Sequence, residues 1–226
     1  MSKRFGNKLF SRCGLLAMAG LLGATVAFAQ TTDTAAPVEN NGDIDRLEAL
    51  LADIETLSAD VEQLIVEKDG GVLETSQIRM RLKRPDGFYW ETTEPFPELI
   101  VTDGETLWNY QPDLEQVVIE NWDDVAEELA ARLLSGKIAS LNEDYRIIMN
   151  REVDEFLLTP RASESPYSAI NLTFVNANLD TIYLRGKNGQ QTVWRFYSLI
   201  KNSELAPDLF SFTPPEGIEV IVNTYP

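Results

Sequence analysis

The chain has no histidine at any of its 226 positions and a single cysteine, Cys13. Ser-His-Asp triads, Cys-His nucleophiles and the usual zinc sites all need side chains that are missing. Basic residues are scarce as well, with 19 Lys and Arg against 36 Asp and Glu and a formal charge of −17. Such a surface repels a phosphate backbone, which argues against nucleic acid as a partner. Chemistry that needs carboxylates alone survives these exclusions, as in a glycosidase whose two acids flank a cleft. Most surface carboxylates are only solvated, however, and the sequence singles out no pair among so many. No ATP-binding motif is present, and no cofactor or metal is expected.

What is present begins with a leader. Lys3, Arg4, Lys8 and Arg12 precede an apolar stretch from Cys13 to Phe28, and Ala27-Phe28-Ala29 has the small-x-small pattern of a signal-peptidase site. The pattern predicts a signal peptide over 1–29 and a mature chain from Gln30; the alternative, an uncleaved anchor, is disfavoured by a short apolar stretch without the flanks of a stable membrane span. Phe10-Ser11-Arg12 before Cys13 is not a lipobox, so the protein is not expected to be lipidated itself. The leader holds four of the basic residues and no acidic ones, which leaves 15 against 36 and a mature charge of −21. An acidic surface of that kind favours solubility and can steer encounters with a basic partner. Roughly 195 residues then remain, enough for one domain with a real core. We expect a flexible mature N-terminus over 30–42, rich in Thr, Ala and small polar residues, and a single domain over 43–226.

Ile44, Leu47, Leu50, Leu51, Ile54 and Leu57 recur at helical spacing, with Asp43 placed to cap the start. That predicts one amphipathic helix whose apolar face is core, a membrane-lying surface or a lid; the near absence of Lys and Arg from its polar face argues against a membrane. Strand signals follow. Ile78, Met80 and Leu82 alternate with Arg79, Arg81 and Lys83, and Asp69-Gly70-Gly71, Pro85-Asp86-Gly87, Asp103-Gly104, Pro112-Asp113 and Asn188-Gly189 supply turns. A second helical interval runs from Trp122 to Leu134 and stops at Ser135-Gly136. Ten or eleven consecutive antiparallel strands result, with helices between two sets of them. No internal repeat or interdomain linker is apparent, and the pattern predicts an α+β fold in which one large curved sheet is partly covered by helices.

Three stretches are more specific: KRPDGFYW at Lys83 to Trp90, LIVTDGETLWNYQPDLEQV at Leu99 to Val117, and FSFTPPEGIEVI at Phe210 to Ile221. In this order, with Arg132-Leu133-Leu134-Ser135-Gly136 and Phe156-Leu157-Leu158-Thr159-Pro160 between them, they resemble the LolA family from about Leu47 to Ile221. The resemblance implies an unclosed antiparallel β-barrel, a half-barrel whose lid helices enclose an apolar cavity for acyl chains. It implies a periplasmic chaperone, not an enzyme, that carries acylated lipoproteins. An ATP-driven inner-membrane complex would load such a carrier and an outer-membrane lipoprotein receptor, LolB, would unload it; a monomer is expected.

By the same resemblance, Arg84 is a latch that holds the empty form closed through backbone carbonyls of Leu134, Ser135 and Gly136. Residues alone allow a solvated turn arginine there. Leu51, Ile54 and Leu57 from the first helix, Phe88, Trp90 and Ile100 from the sheet, and Leu133 and Leu134 from the lid are the implied walls of the acyl-chain cavity, though periodicity alone would also allow plain core. Ala130, Ala131 and Arg132 depart from the bulky apolar residues that family members carry before the lid Leu-Leu pair. Other readings of the same fold are a carrier of other lipids or glycolipids, the outer-membrane receptor, and a periplasmic lipid-sensing regulator domain. The missing lipobox disfavours the receptor, and the end at Pro226 disfavours the regulator, which resides in a longer chain.

Overall fold

Val72–Lys83 shows how the sheet is made. Along this strand Ser76, Ile78, Met80 and Leu82 are buried while Gln77, Arg79, Arg81 and Lys83 face solvent. A period of two with apolar residues on one side fixes both the strand and its buried face. In the computed structural model, which describes residues 41–122 and 138–223, the same logic extends through twelve strands of a single sheet. They are β1 (Thr56–Val66), β2 (Val72–Lys83), β3 (Gly87–Glu94), β4 (Glu98–Thr102), β5 (Thr106–Gln111), β6 (Gln116–Asn121), β7 (Tyr145–Asn150), β8 (Glu155–Pro160), β9 (Tyr167–Val175), β10 (Asn178–Gly186), β11 (Gln191–Lys201) and β12 (Glu219–Val222). Two helices are described, α1 (Asn41–Ala52) and α2 (Ile138–Asp144).

The strand order is β12-β6-β5-β4-β3-β2-β1-β11-β10-β9-β8-β7. β7 and β12 are therefore edges that do not meet, and the barrel is unclosed. All pairings are antiparallel except that of β12 with β6, which is parallel. β12 is also the strand beyond the ten or eleven expected: four residues following Pro214-Pro215-Glu216-Gly217 carry too little pattern to announce it. A second difference concerns Leu57. It belongs to β1 and not to the first helix, which ends at Ala52, and Ile54 likewise lies beyond that helix, in the link to β1. The helical interval from Asp123 to Leu134 lies outside the described residues.

Cross-strand partners share a face of the sheet, so register traces the inner wall directly. One row runs Met149, Phe156, Leu172, Ile182, Trp194, Gln63, Ser76 across seven strands. Another runs Ala59, Met80, Trp90, Ile100, Asn109, Val118. The first row is apolar from β7 to β11 and ends in amide and hydroxyl groups; the second is apolar but for Asn109. Together with Leu47, Leu50 and Leu51 of α1 and Leu141 of α2 the apolar side chains other than Val118 form one contiguous core, in which Phe156 meets Phe174 edge-on at 5.7 Å between ring centroids.

The opposite, convex face has its own small apolar layer. The chain leaving β11 passes through a 3-10 turn at Pro207–Phe210, and Phe210 lies against Gly87, where an added Cβ would sit 3.1 Å from the ring. Phe212 packs on Tyr110 at 5.2 Å between centroids. Val101 and Val117 are buried although they belong to no part of the main core. Turn chemistry sets the strand lengths: Gly104 has φ +100 and leaves only 2.7 Å between an added Cβ and that of Asp86, so only glycine fits there.

Phe156 is fully buried within the apolar core. Phe156→Ala should cost about 3–5 kcal/mol of stability, the range for deleting a core aromatic, read as a lower urea midpoint at unchanged slope.

Candidate functional site

An open sheet with an apolar concave face must be covered, and α1 contributes to the cover. Leu47, Leu50 and Leu51 turn inward, and the helix packs against β7 and α2. A twelve-residue helix is marginal by itself in water, so its position depends on what holds it. It is held at both ends by charge.

At its C-terminal end the fixing group is Arg84, which follows β2. The Arg84 N–H donates to the Glu55 carbonyl at 2.8 Å, Nη2 to the Leu51 carbonyl at 2.7 Å and Nη1 to the Ala52 carbonyl at 3.4 Å. The last carbonyls of a helix have no partner within it and carry its partial negative charge, so a guanidinium there satisfies acceptors and dipole together. Burial lowers the Arg84 pKa from its ordinary value, which still leaves a group of this kind charged. Arg161 treats α2 in the same way, donating through Nε to the Asn142 carbonyl at 3.1 Å and through its backbone to the Asp144 carbonyl at 2.8 Å.

At the N-terminal end of α1 the fixing group is Asp43, 5 % exposed. Expected as a cap, it lies instead within the first turn, and its carboxylate reaches out to the sheet. Oδ2 accepts the Met149 N–H at 3.1 Å and Oδ1 accepts Arg151 Nη2 at 2.5 Å. β7 is the edge of the sheet, so this bond occupies an N–H that would otherwise be open to another chain. Arg46 and Asp154 add an exposed ion pair at 3.9 Å, which contributes little.

Of the wall residues read from the sequence, Leu51, Ile54, Leu57, Phe88 and Trp90 are all buried in the main core, with Ile100 partly buried against it. They are brought together on the concave side. Leu133, Leu134, Ser135 and Gly136 lie outside the described residues, and the Arg84 contacts that are described go to α1. Sequence reasoning missed three features. Trp194 meets Trp90 edge-on at 5.4 Å and donates through Nε1 to Gln63 Oε1 at 2.7 Å. The Asp43 contact joins residues 106 positions apart, which no local pattern reveals. Asn109 has register partners Ile100 and Val118, so it shares the concave face.

The family model described as outer membrane lipoprotein carrier protein LolA matches residues 52–213. The chain belongs to the LolA family. Among its relatives, the outer-membrane lipoprotein carrier protein of Hahella chejuensis is 34% identical over 191 residues, covering 83% of this chain and 91% of its own. That of Chromohalobacter salexigens is 34% identical over 202 residues, 88% and 94% of the two chains. A structure of an uncharacterized conserved protein from Thermus thermophilus superposes with a TM-score of 0.51 at 16% identity, over 81% of this chain and 98% of that one, which shows the shared fold. The LolA match includes Arg84, Phe88, Trp90 and Ile100, whereas Asp43 and β12 lie outside it.

Loss of the Asp43 carboxylate leaves the Met149 N–H and Arg151 without their acceptor. Hydrogen bonds to charged groups contribute about 1.5–3 kcal/mol, so amide exchange at Met149 in Asp43→Ala should speed up by roughly tenfold or more. Arg84→Leu should leave that amide unchanged. Exchange at Met149 that ignores the Asp43 substitution would remove this pin from the account.

Proposed function

We propose that this LolA-family protein is a periplasmic chaperone that takes acylated lipoproteins released from the inner membrane by an ATP-driven complex and delivers them to an outer-membrane lipoprotein receptor. It is not an enzyme, works as a monomer, and reaches the periplasm by cleavage of residues 1–29, after which the short stretch ahead of α1 leads into the single domain. The family and the role named for its relatives support the cargo. The observation that carries the reading is the unclosed sheet whose concave face is apolar along most of its cross-strand rows and is spanned by a helix held by charged side chains.

Magnitudes explain why such a shape suits the task. One buried methylene is worth about 0.8 kcal/mol, so lipid chains of about 40 methylenes would cost roughly 30 kcal/mol if left in water. A carrier must cover most of that area and still release it. In this reading Leu51, Ile54, Leu57, Phe88, Trp90 and Ile100, with Leu133 and Leu134, line the acyl-chain cavity once the lid moves. The first five are at most 8 % exposed, so cargo entry has to separate them from their neighbours. Closing the lid therefore regains buried area and helps expel the chains.

Arg84 is the latch for that closure. It holds the end of α1 through the Leu51 and Ala52 carbonyls, and the carbonyls of Leu134, Ser135 and Gly136 are its proposed acceptors on the second lid segment. A planar guanidinium can serve several fixed acceptors at once, which lysine cannot. Removing it destabilises only the closed empty state. Cargo then binds more tightly in net terms, by the free energy the latch contributed. Arg84→Leu should accept lipoprotein from inner-membrane vesicles as well as the unaltered protein does but hand it to the receptor roughly tenfold less, in line with about 1.5 kcal/mol for a charged hydrogen bond. Normal transfer to the receptor by that variant would overturn the latch.

A further inference from the structure

Several polar groups on the concave face have partners within the protein. Thr102 Oγ1 accepts the Gly104 N–H at 3.0 Å, Gln63 Oε1 accepts Trp194 Nε1–H at 2.7 Å, Ser76 Oγ donates to Glu74 at 2.5 Å, and Glu98 Oε1 accepts from Gln111 at 3.1 Å. Asn109 differs. Its Oδ1 is buried and has no hydrogen bond among the described residues. Register places it between Ile100 and Val118, in the row that begins with Ala59, Met80 and Trp90. A buried carbonyl without a donor is unusual in a folded protein and calls for a specific explanation. An apolar side chain at this position would have completed the row.

We propose that Asn109 is a specificity-determining residue that accepts an amide N–H of the cargo at the junction between acyl chain and peptide. The proposal rests on the lipoprotein-carrier reading and adds to it a basis for choice. Apolar walls bind any chain of suitable length, and they cannot tell an acylated polypeptide from a membrane phospholipid. The two differ at the first polar group beyond the chains. An N-acylated peptide has a secondary amide there, with one N–H and one carbonyl; an ester-linked diacylglycerol lipid has ester oxygens and no N–H. A side-chain amide complements the former in both senses, because Oδ1 accepts and Nδ2 donates. The ester lipid offers Oδ1 no donor. Discrimination by an unmet hydrogen bond is stronger than discrimination by apolar shape.

The test alters the ligand as well as the protein. Three probes are titrated against bound fluorescent fatty acid: an N-palmitoyl peptide, the same peptide with its palmitoyl amide N-methylated, and dipalmitoyl phosphatidylglycerol. For the unaltered protein N-methylation should weaken binding about tenfold. For Asn109→Leu the parent peptide should be weakened by a similar factor, methylation should have no further effect, and phosphatidylglycerol should bind the two proteins equally. An equal effect of methylation on both proteins, or none on the unaltered one, overturns the assignment while leaving the carrier reading intact. If the unaltered protein binds phosphatidylglycerol but neither peptide, the carrier reading fails and this assignment with it. The comparison of the two peptides on the unaltered protein stands even if Asn109→Leu does not fold.

Discussion

A curved sheet that never closes leaves an apolar concave wall and free edges, and one short helix packs on that wall while binding an N–H of the β7 edge. α1 lays Leu47, Leu50 and Leu51 on the wall while Asp43, at its first turn, occupies an edge N–H of β7. At its other end Arg84 gathers the orphan carbonyls. Neither contact is strong on the scale of the core. For the proposed carrier role that is suitable, since a helix fixed by a few hydrogen bonds would yield to chains whose exposure costs about 0.8 kcal/mol per methylene. The two ends are also unlike. The Asp43 side chain is 7 % exposed and held by an ion pair, whereas of the Arg84 guanidinium bonds described above the longer is 3.4 Å.

The convex side of the sheet has apolar support of its own. Phe210 on Gly87, Phe212 on Tyr110, and the buried Val101 and Val117 form a second layer under the chain that returns to β12. β12 then pairs in parallel with β6 at the edge opposite β7. The strands β3 to β6 are thereby supported from behind.

Much of this was legible in the residues. The alternation of Ile78, Met80 and Leu82 fixed β2 and its buried face, and the turns at Asp103-Gly104 and Asn188-Gly189 are where the chain adopts positive φ. Asp43 and Leu57 show where local reading ends. Asp43 has the chemistry of a helix cap, but an edge N–H 106 residues away competed for it and won. Leu57 continues the helical spacing of Ile54, yet its pairing with Leu82 draws it into β1. The wall residues could be named because apolar periodicity marks a buried face. Asn109 could not, because an asparagine in a strand reads as a solvent position until register sets it beside Ile100. Arg84 was chosen through resemblance, and its bonds to the end of α1 depend on where that helix happens to stop.

What the concave face holds in the cell can be read directly. Purification of the protein from its native periplasm, followed by mass spectrometry of the molecules that accompany it, examines this without assuming a ligand. The account predicts acylated lipoproteins carrying several different polypeptides on the same kind of lipid anchor. Free phospholipid or glycolipid as the sole companion would contradict it.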